Sequence, residues 1–203
     1  TAFVNPFSEI PTVDILCSFY DREGNPFESS PEYILRKAHR AFQESTGLQM
    51  ETMGELEYYI IADDEEIYPV PDQKGYHESR PFNKFTDYRV EAMRLIAQAG
   101  GMIKYGHSEV GNFTLDGKIY EQNEIEFLPT NIEDAADQLV IAKWIMRQLA
   151  YEYGVTLTFA PKITVGKAGS GMHVHCKFTK DGKSVMIENG ELTDICKKAI
   201  AGY

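Results

Sequence analysis

The sequence predicts an α+β protein, in which a largely antiparallel sheet carries helices on one face. The first observation is the order of local patterns: strand, helix, strand, helix, two strands, helix, three strands and helix. The second is that several strand patterns follow one another directly, with short turns such as residues 181–183 between them, which favours antiparallel pairing. The third is size, because 203 residues with 43% hydrophobic content can bury one core. We therefore expect residues 1–203 to form a single domain.

Five patterns make up the N-terminal half. Residues 12–20 are rich in β-branched and aromatic side chains, as is the segment 56–62, and both predict strands. One helix is predicted to begin at Pro31, and another to run from about 85 to 99, where two glycines end it. Residues 63–84 are charged and contain three prolines, so we expect a functional loop there.

The next patterns predict two neighbouring strands and the longest helix. The strands are expected at 102–110 and 118–127, with a turn over 111–117 between them. The stretch Thr130–Glu133, TNIE, has the form of a capping box and predicts the start of a helix that ends near Gly154.

The C-terminal part places a small-residue loop between two strands, predicted at 155–160 and 173–178. A last helix is expected to begin near Glu191. The stretch 169–175, GSGMHVH, brings Gly-Ser-Gly directly before His-x-His. It indicates either a backbone that passes close to a bulky, charged group beside two imidazoles, or an ordinary loop before a strand.

Composition limits the possible partners. The net charge is −11 and no basic stripe is visible, so nucleic acid is not an expected partner. The acidic balance fits either a site that holds cations or a general need for solubility. No apolar run approaches membrane-spanning length, which argues against a membrane partner. The three cysteines, Cys17, Cys176 and Cys196, have no CxxC spacing, which indicates a reducing, cytoplasmic location without a disulfide framework.

Acidic and imidazole side chains recur in the strand patterns. Residues two apart in a strand point to the same side, so each strand offers one or two such groups to a common surface. The candidates are Glu55, Glu57, Glu109, Glu124, His173 and His175. Carboxylates with a single imidazole suit Mg²⁺ or Mn²⁺ better than zinc, and two such ions favour phosphoryl transfer. The alternative, that Glu-x-Glu and Glu124-Ile-Glu126 are solvated surface, stays open.

Five stretches resemble conserved segments of glutamine synthetases, in the same order along nearly the whole chain. They are NPFSEIPTVDILCSFYDREGNPF, GELEYYI, GHSEV, QNEIEF and TFAPKITVGKAGSGMHVH. The resemblance implies the catalytic-domain fold of that family, with a curved antiparallel sheet that carries the metal site. It also implies a ligase that makes glutamine from glutamate and ammonia with ATP, through γ-glutamyl phosphate and two Mg²⁺ or Mn²⁺ ions.

The resemblance also implies which residues bind the metal ions and the substrates. One ion, which organises the substrate carboxylate, would be held by Glu57, Glu109 and Glu124. The ion on the ATP phosphates would be held by Glu55 and His173. For substrates, the implied contacts are Glu57 and Gly169 for glutamate, His175 and Lys177 for the nucleotide, and Tyr76 for ammonium. Glu109 would in addition attract and deprotonate ammonium.

Some positions depart from the family pattern. Ala168 stands where the family has an asparagine that contacts glutamate, and Ser108 replaces the second histidine of His-His-Glu. Lys177 replaces a small polar residue near the adenine, and TLDGK resembles an insertion before Glu124. Such changes suit either drift in a glutamine synthetase or a ligase that joins glutamate to another amine. A non-catalytic relative is a third hypothesis, which the retained metal-ligand positions disfavour.

The chain is expected to be a piece of a longer protein. It begins at Thr1 without methionine, and its last residues stop within a helical pattern. The resemblance implies that a small N-terminal domain and further substrate-binding residues lie outside it, and that the full protein assembles into rings of six. We therefore expect the isolated chain to be inactive.

Overall fold

The computed structural model describes residues 1–203 and contains four helices and eleven strands. The helices are α1 (Pro31–Thr46), α2 (Thr86–Gln98), α3 (Ile132–Glu152) and α4 (Asp194–Gly202). The longer strands are β3 (Gln49–Asp63), β4 (Ile103–Leu115), β5 (Lys118–Phe127) and β8 (Met172–Lys180). The short strands are β1 (Ala2–Val4), β2 (Val13–Ile15), β6 (Thr130–Asn131), β7 (Thr156–Thr158), β9 (Lys183–Ser184), β10 (Ile187–Glu188) and β11 (Glu191–Leu192). None of the helices has the length and apolar character needed to span a membrane.

A seven-stranded sheet dominates the structure, with the order β4-β5-β3-β8-β9 and with β6 and β7 also paired to β3. Every pairing in it is antiparallel. The hairpin predicted at 181–183 is the β8–β9 connection. The predicted α+β class with a largely antiparallel sheet is thus confirmed.

Each edge of the central strand β3 pairs with two other strands, one after the other along its length. One edge pairs with β6 and then with β5, whereas the other pairs with β8 up to Leu56 and with β7 from Tyr59. The chain between β7 and β8, residues 159–171, therefore leaves the sheet next to Glu57. This arrangement brings the predicted small-residue loop, which we call the glycine loop (residues 159–171), to the middle of the sheet.

The core lies between one face of this sheet and the helices α2 and α3. In β3 the even-numbered residues Leu56, Tyr58 and Ile60 are fully buried in it, since side chains alternate along a strand. Each large apolar side chain buried in this way stabilises the fold by roughly 1.5–3 kcal/mol. Tyr88 of α2 also donates a hydrogen bond from its hydroxyl to the Met146 carbonyl of α3, at 2.6 Å. The core therefore fixes which face of β3 points away from the helices.

The predicted loop between β3 and α2 lies along the open edge of β4. Residues 64–85 contain no helix or strand, as expected. Alternate backbone N–H groups donate to carbonyls of β4: Gln73 to Asn112, Gly75 to Val110 and His77 to Ser108, at 2.9, 3.3 and 3.0 Å. We call residues 73–77 the edge segment, because it covers the unpaired edge of β4 and carries Tyr76.

A buried carboxylate holds the end of this loop against the sheet. Glu121 of β5 is 1% exposed and accepts hydrogen bonds from Asn83 Nδ2, Lys84 N and Phe85 N at 2.7, 2.8 and 3.2 Å. Burial raises the pKa of the Glu121 carboxyl, while these donors stabilise its charged form. The loop is thus anchored to β4 through the edge segment and to β5 through Glu121.

Several predictions about strands were wrong in extent. The predicted strand 56–62 is only the second half of β3, which begins at Gln49. Of the predicted strand 12–20, only Val13–Ile15 forms a strand, paired with β1, and Tyr20 adds an isolated bridge to Pro26. The predicted strand 155–160 is reduced to β7, three residues long. The predicted turn 111–117 is wrong, since β4 continues to Leu115 and only Asp116 and Gly117 turn. Gly111 and the Asp116–Gly117 pair give this stretch the composition of a turn.

Two helix starts also differ from the predictions. Thr130 is not the N-cap of α3, because its backbone pairs with Thr52 in the sheet. The cap is Asn131, whose side-chain oxygen accepts from the N–H groups of Glu133 and Asp134 at 3.0 and 3.1 Å. The last helix begins at Asp194 and not near Glu191, which lies in β11.

The change Asn131→Ala should lower the free energy of unfolding by about 1 kcal/mol, because it leaves two N–H groups of the first turn of α3 without an acceptor. Thr130→Ala should have a much smaller effect. Urea denaturation of both variants tests the assignment, and a larger loss for Thr130→Ala would contradict it.

Candidate active site

Strand register brings most of the predicted residues together on the face of the sheet opposite the helices. Residues paired directly across an antiparallel ladder point to the same side. The relevant pairs are Glu55 with Glu126, Glu55 with His173, Glu57 with Glu124, and His107 with Glu124. The four predicted residues in these pairs, Glu55, Glu57, Glu124 and His173, therefore share one surface.

Glu109 reaches the same surface from a bulge in β4. The register jumps from the pair Ser108–Asn123 to the pair Asn112–Glu121, so residues 109–111 together face the single residue Gln122. Such a bulge turns the strand and redirects its side chains. Glu109 Oε1 then lies 3.6 Å from Nδ1 of His107, in the same cluster as Glu124.

Two exposed imidazoles line the other side of the cluster. Nδ1 of His173 lies 2.8 Å from Glu55 Oε2, and Nε2 of His175 lies 2.6 Å from Glu55 Oε1. Nδ1 of His173 is also 3.8 Å from Glu57 Oε1. His173 thus stands between the two carboxylates of the predicted Glu-x-Glu pair.

Glu124 lies at the centre of the negative charge and is only 5% exposed. Burial, together with the charges of Glu55, Glu109 and Glu57, raises the pKa of the Glu124 carboxyl to about 8. The metal-free site therefore disfavours full ionisation, and a cation placed between these carboxylates would relieve the repulsion.

Two groups of side chains have the geometry to hold a metal ion. In each, three ligand atoms lie within 4.8 Å of one another: His107, Glu109 and Glu124 in one, and Glu55, Glu124 and Glu126 in the other. Sequence reasoning did not name His107 or Glu126 as ligands. Each lies two positions from a predicted ligand on the same strand, and this spacing could have identified both as candidate ligands. These carboxylates and imidazole are ligands that Mg²⁺ and Mn²⁺ accept.

The glycine loop passes next to Glu57. A Cβ at Gly171 would lie 2.9 Å from Glu57 Oε1, and a Cβ at Gly169 would collide with the Pro161 carbonyl oxygen. Gly169 thus has a packing reason to be glycine, besides the predicted approach to a substrate. The Ala168 carbonyl accepts from Tyr59 Oη at 2.8 Å, which ties the loop to β3.

The remaining predicted residues lie around this cluster. Tyr76 is 58% exposed, and its ring centroid is 5.6 Å from that of His107. Nζ of Lys177 lies 2.6 Å from Glu51 Oε2, so the lysine charge is already paired. The roles implied for Tyr76, Lys177 and His175 stay predictions.

Comparison with known proteins identifies the family. Residues 28–203 match the model of the glutamine synthetase catalytic domain. A glutamine synthetase from Methanosarcina mazei is 31% identical over 92% of this chain and 40% of its own length. A 3-hydroxylaminophenol mutase from Cupriavidus pinatubonensis is 29% identical over 94% of this chain and 45% of its own length.

A solved structure shows the same fold. The Plasmodium falciparum glutamine synthetase superposes with a TM-score of 0.83 and 19% identity, over 100% of this chain and 45% of that one. The chain thus spans less than half the length of these relatives. The predicted curved-sheet fold and the predicted family are confirmed, and the chain belongs to the glutamine synthetase catalytic-domain family.

Proposed function

We propose that the protein containing this chain is an ATP-dependent ligase that forms glutamine from glutamate and ammonia. The observation that supports this most directly is the convergence of carboxylates from β3, β4 and β5 with an imidazole from β8 on one face, beside the glycine loop. Family membership supports the reaction class. The reaction would proceed in two steps through γ-glutamyl phosphate.

The donor set fits two divalent cations. Glu57, Glu109 and Glu124 would hold one Mg²⁺ or Mn²⁺, while Glu55 and His173 would hold the other. When bound, these ions would neutralise the oxygens of the phosphates and of the substrate carboxylate. The raised pKa of Glu124 supports cation binding at this cluster, since it reflects burial and the neighbouring negative charges.

The first step joins an oxygen of the glutamate γ-carboxylate to the γ-phosphorus of ATP and releases ADP. The chain's own contribution would be to hold the reactants in line. The glycine loop would present its backbone at Gly169 to glutamate, while His175 and Lys177 would contact the nucleotide. Positioning of this kind supplies a large part of catalysis in phosphoryl transfer.

In the second step, nitrogen attacks the acyl carbon and phosphate leaves. Tyr76 would line the pocket for ammonium, and Glu109 would accept the proton that ammonium must lose. One Glu109 oxygen, Oε2, accepts the backbone N–H of Val110 at 2.9 Å, which fixes the carboxylate and leaves Oε1 facing the cluster.

A second candidate is a γ-glutamyl-amine ligase on the same scaffold. It is favoured by Ala168, whose methyl group cannot form the side-chain contact that an asparagine would make. The acceptor would then be an organic amine in place of ammonia. Under either candidate, we propose that the full-length protein is a cytoplasmic homo-oligomer built from rings of six, and that the isolated chain does not turn over.

A substrate screen distinguishes the candidates. The full-length protein should release phosphate from ATP when glutamate, Mg²⁺ or Mn²⁺, and ammonia are all present, and hydroxylamine should yield γ-glutamyl hydroxamate. Glu57→Gln should lower kcat by at least about 100-fold, because it removes a charge that holds the reacting groups. Phosphate release only with larger amines would support the second candidate, and release with no amine would contradict both. Hydroxamate formed by residues 1–203 alone would refute the proposed inactivity.

Glu124→Gln should make the chain without metal more stable at pH 8, by a few kcal/mol, while weakening Mn²⁺ binding. The pKa of Glu124 is raised in the folded chain to about 8, so its contribution to stability is present at low pH and is lost as the pH rises toward 8. The variant avoids that loss. Thermal denaturation with EDTA at pH 5 and pH 8 should show a gain at pH 8 that shrinks at pH 5. An equal gain in stability at both pH values would contradict the claim that repulsion among these carboxylates destabilises ionised Glu124.

A further inference from the structure

We propose that Gln122 is a positioning residue that sets the carboxylate of Glu57 for its cation and joins the metal cluster to the glycine loop. This inference rests on the proposed metal site. Gln122 lies in the middle of β5, opposite Tyr59, and is 1% exposed. A buried amide requires partners for its oxygen and for both amide hydrogens.

All of these partners belong to functional segments. Nε2 of Gln122 donates to Glu57 Oε2 and to the Gly169 carbonyl, each at 2.8 Å. Oε1 accepts the backbone N–H of Gly111 at 3.0 Å. Because the oxygen is occupied by an N–H donor, the amide can present only its nitrogen to the two acceptors. The orientation of Gln122 is therefore determined.

The bond to Glu57 distinguishes the two oxygens of that carboxylate. Oε2 is satisfied by Gln122, whereas Oε1 faces His173 Nδ1 at 3.8 Å. Glu57 is 8% exposed, so few water molecules compete to reorient it. Gln122 thus leaves one defined oxygen for a cation, which is what an outer partner of a metal ligand provides.

The bond to Gly111 fixes the bulge of β4. A Cβ at Gly111 would overlap Tyr59 Oη and lie 2.6 Å from Gln122 Oε1, so this close approach requires glycine. The same bulge directs Glu109 into the cluster. Glu124, the third residue proposed for this ion, is two positions from Gln122 on β5. Gln122 therefore holds Glu57 and, through Gly111, the bulge that carries Glu109, whereas it has no hydrogen bond to Glu55 or His173.

Mn²⁺ titration of the full-length protein, with free Mn²⁺ read by electron paramagnetic resonance, tests whether Gln122 acts on the ion held by Glu57 and not on the ion held by Glu55 and His173. Gln122→Met keeps the approximate size of the side chain but cannot donate a hydrogen bond. It should lower Mn²⁺ affinity by about 10–100-fold at the same site that Glu57→Gln weakens. His173→Ala should weaken the second Mn²⁺ site, which identifies it in the titration. Gln122→Met should leave the Mn²⁺ affinity of that second site within about twofold of wild type. Gln122→Asn, which keeps the amide but cannot reach, replaces Gln122→Met if circular dichroism shows that the latter does not fold.

Two controls separate positioning from general stability. Tyr59→Phe removes another buried bond to the glycine loop, at Ala168, but no bond to Glu57, so it should leave Mn²⁺ affinity within about twofold. The double variant Glu57→Gln, Gln122→Met should lose less Mn²⁺ affinity than the two single losses combined, since both changes remove the bond between Gln122 and Glu57.

Each outcome decides between the claims. Wild-type affinity in folded Gln122→Met, with loss in Glu57→Gln, would overturn the role of Gln122 and leave the metal site standing. Equal losses in Tyr59→Phe and Gln122→Met would also overturn it, because any loosening of the loop would then suffice. No Mn²⁺ binding by the wild-type chain, or none lost in Glu57→Gln, would overturn the proposed metal site and this inference together.

Discussion

The alternation of side chains along β3 is the constraint on which the site depends. Leu56, Tyr58 and Ile60 must face the helices, because the core is built on them. Glu55 and Glu57 then have to face the other way. A slip of one residue in the pairing of β3 would bury these carboxylates under α3 and expose the apolar side chains. The hydrophobic core therefore fixes the pairing register of β3, and this register places the carboxylates on one face of the sheet.

The gathered charge is balanced at the edges of the site and not at its centre. Lys104 pairs with Glu126 at 2.7 Å, and Lys177 pairs with Glu51 at 2.6 Å. No lysine or arginine nitrogen lies within 4.0 Å of the carboxylates of Glu57, Glu109 or Glu124. Like charges at such short range are tolerated only when a proton or a cation intervenes. Glu57, Glu109 and Glu124 thus remain free of lysine and arginine, whereas Glu126, a member of the second candidate metal group, is already paired with Lys104.

Sequence patterns predicted the parts of the structure that depend on local composition. The α+β class, the helix from Pro31 and the alternation that places Glu55 and Glu57 on one face follow from periodicity. The bulge at 109–111 could not be predicted in this way, because it is stabilised by contacts with Gln122 and the edge segment, which are distant in sequence. The same holds for Gln122 itself, since an amide next to a charged motif has no periodic signature.

Two loops that are far apart in sequence meet over this bulge, which bears on specificity. The edge segment holds the glycine loop through Gln73, whose Oε1 accepts the N–H of Ala168 at 2.5 Å. Lys167 also pairs with Asp72 at 2.5 Å. Tyr76, proposed for the acceptor pocket, and Gly169, proposed for glutamate, therefore lie on segments that are bonded to each other. A change at position 168 would affect both segments, which under the proposed roles would link the choice of amine to the recognition of glutamate.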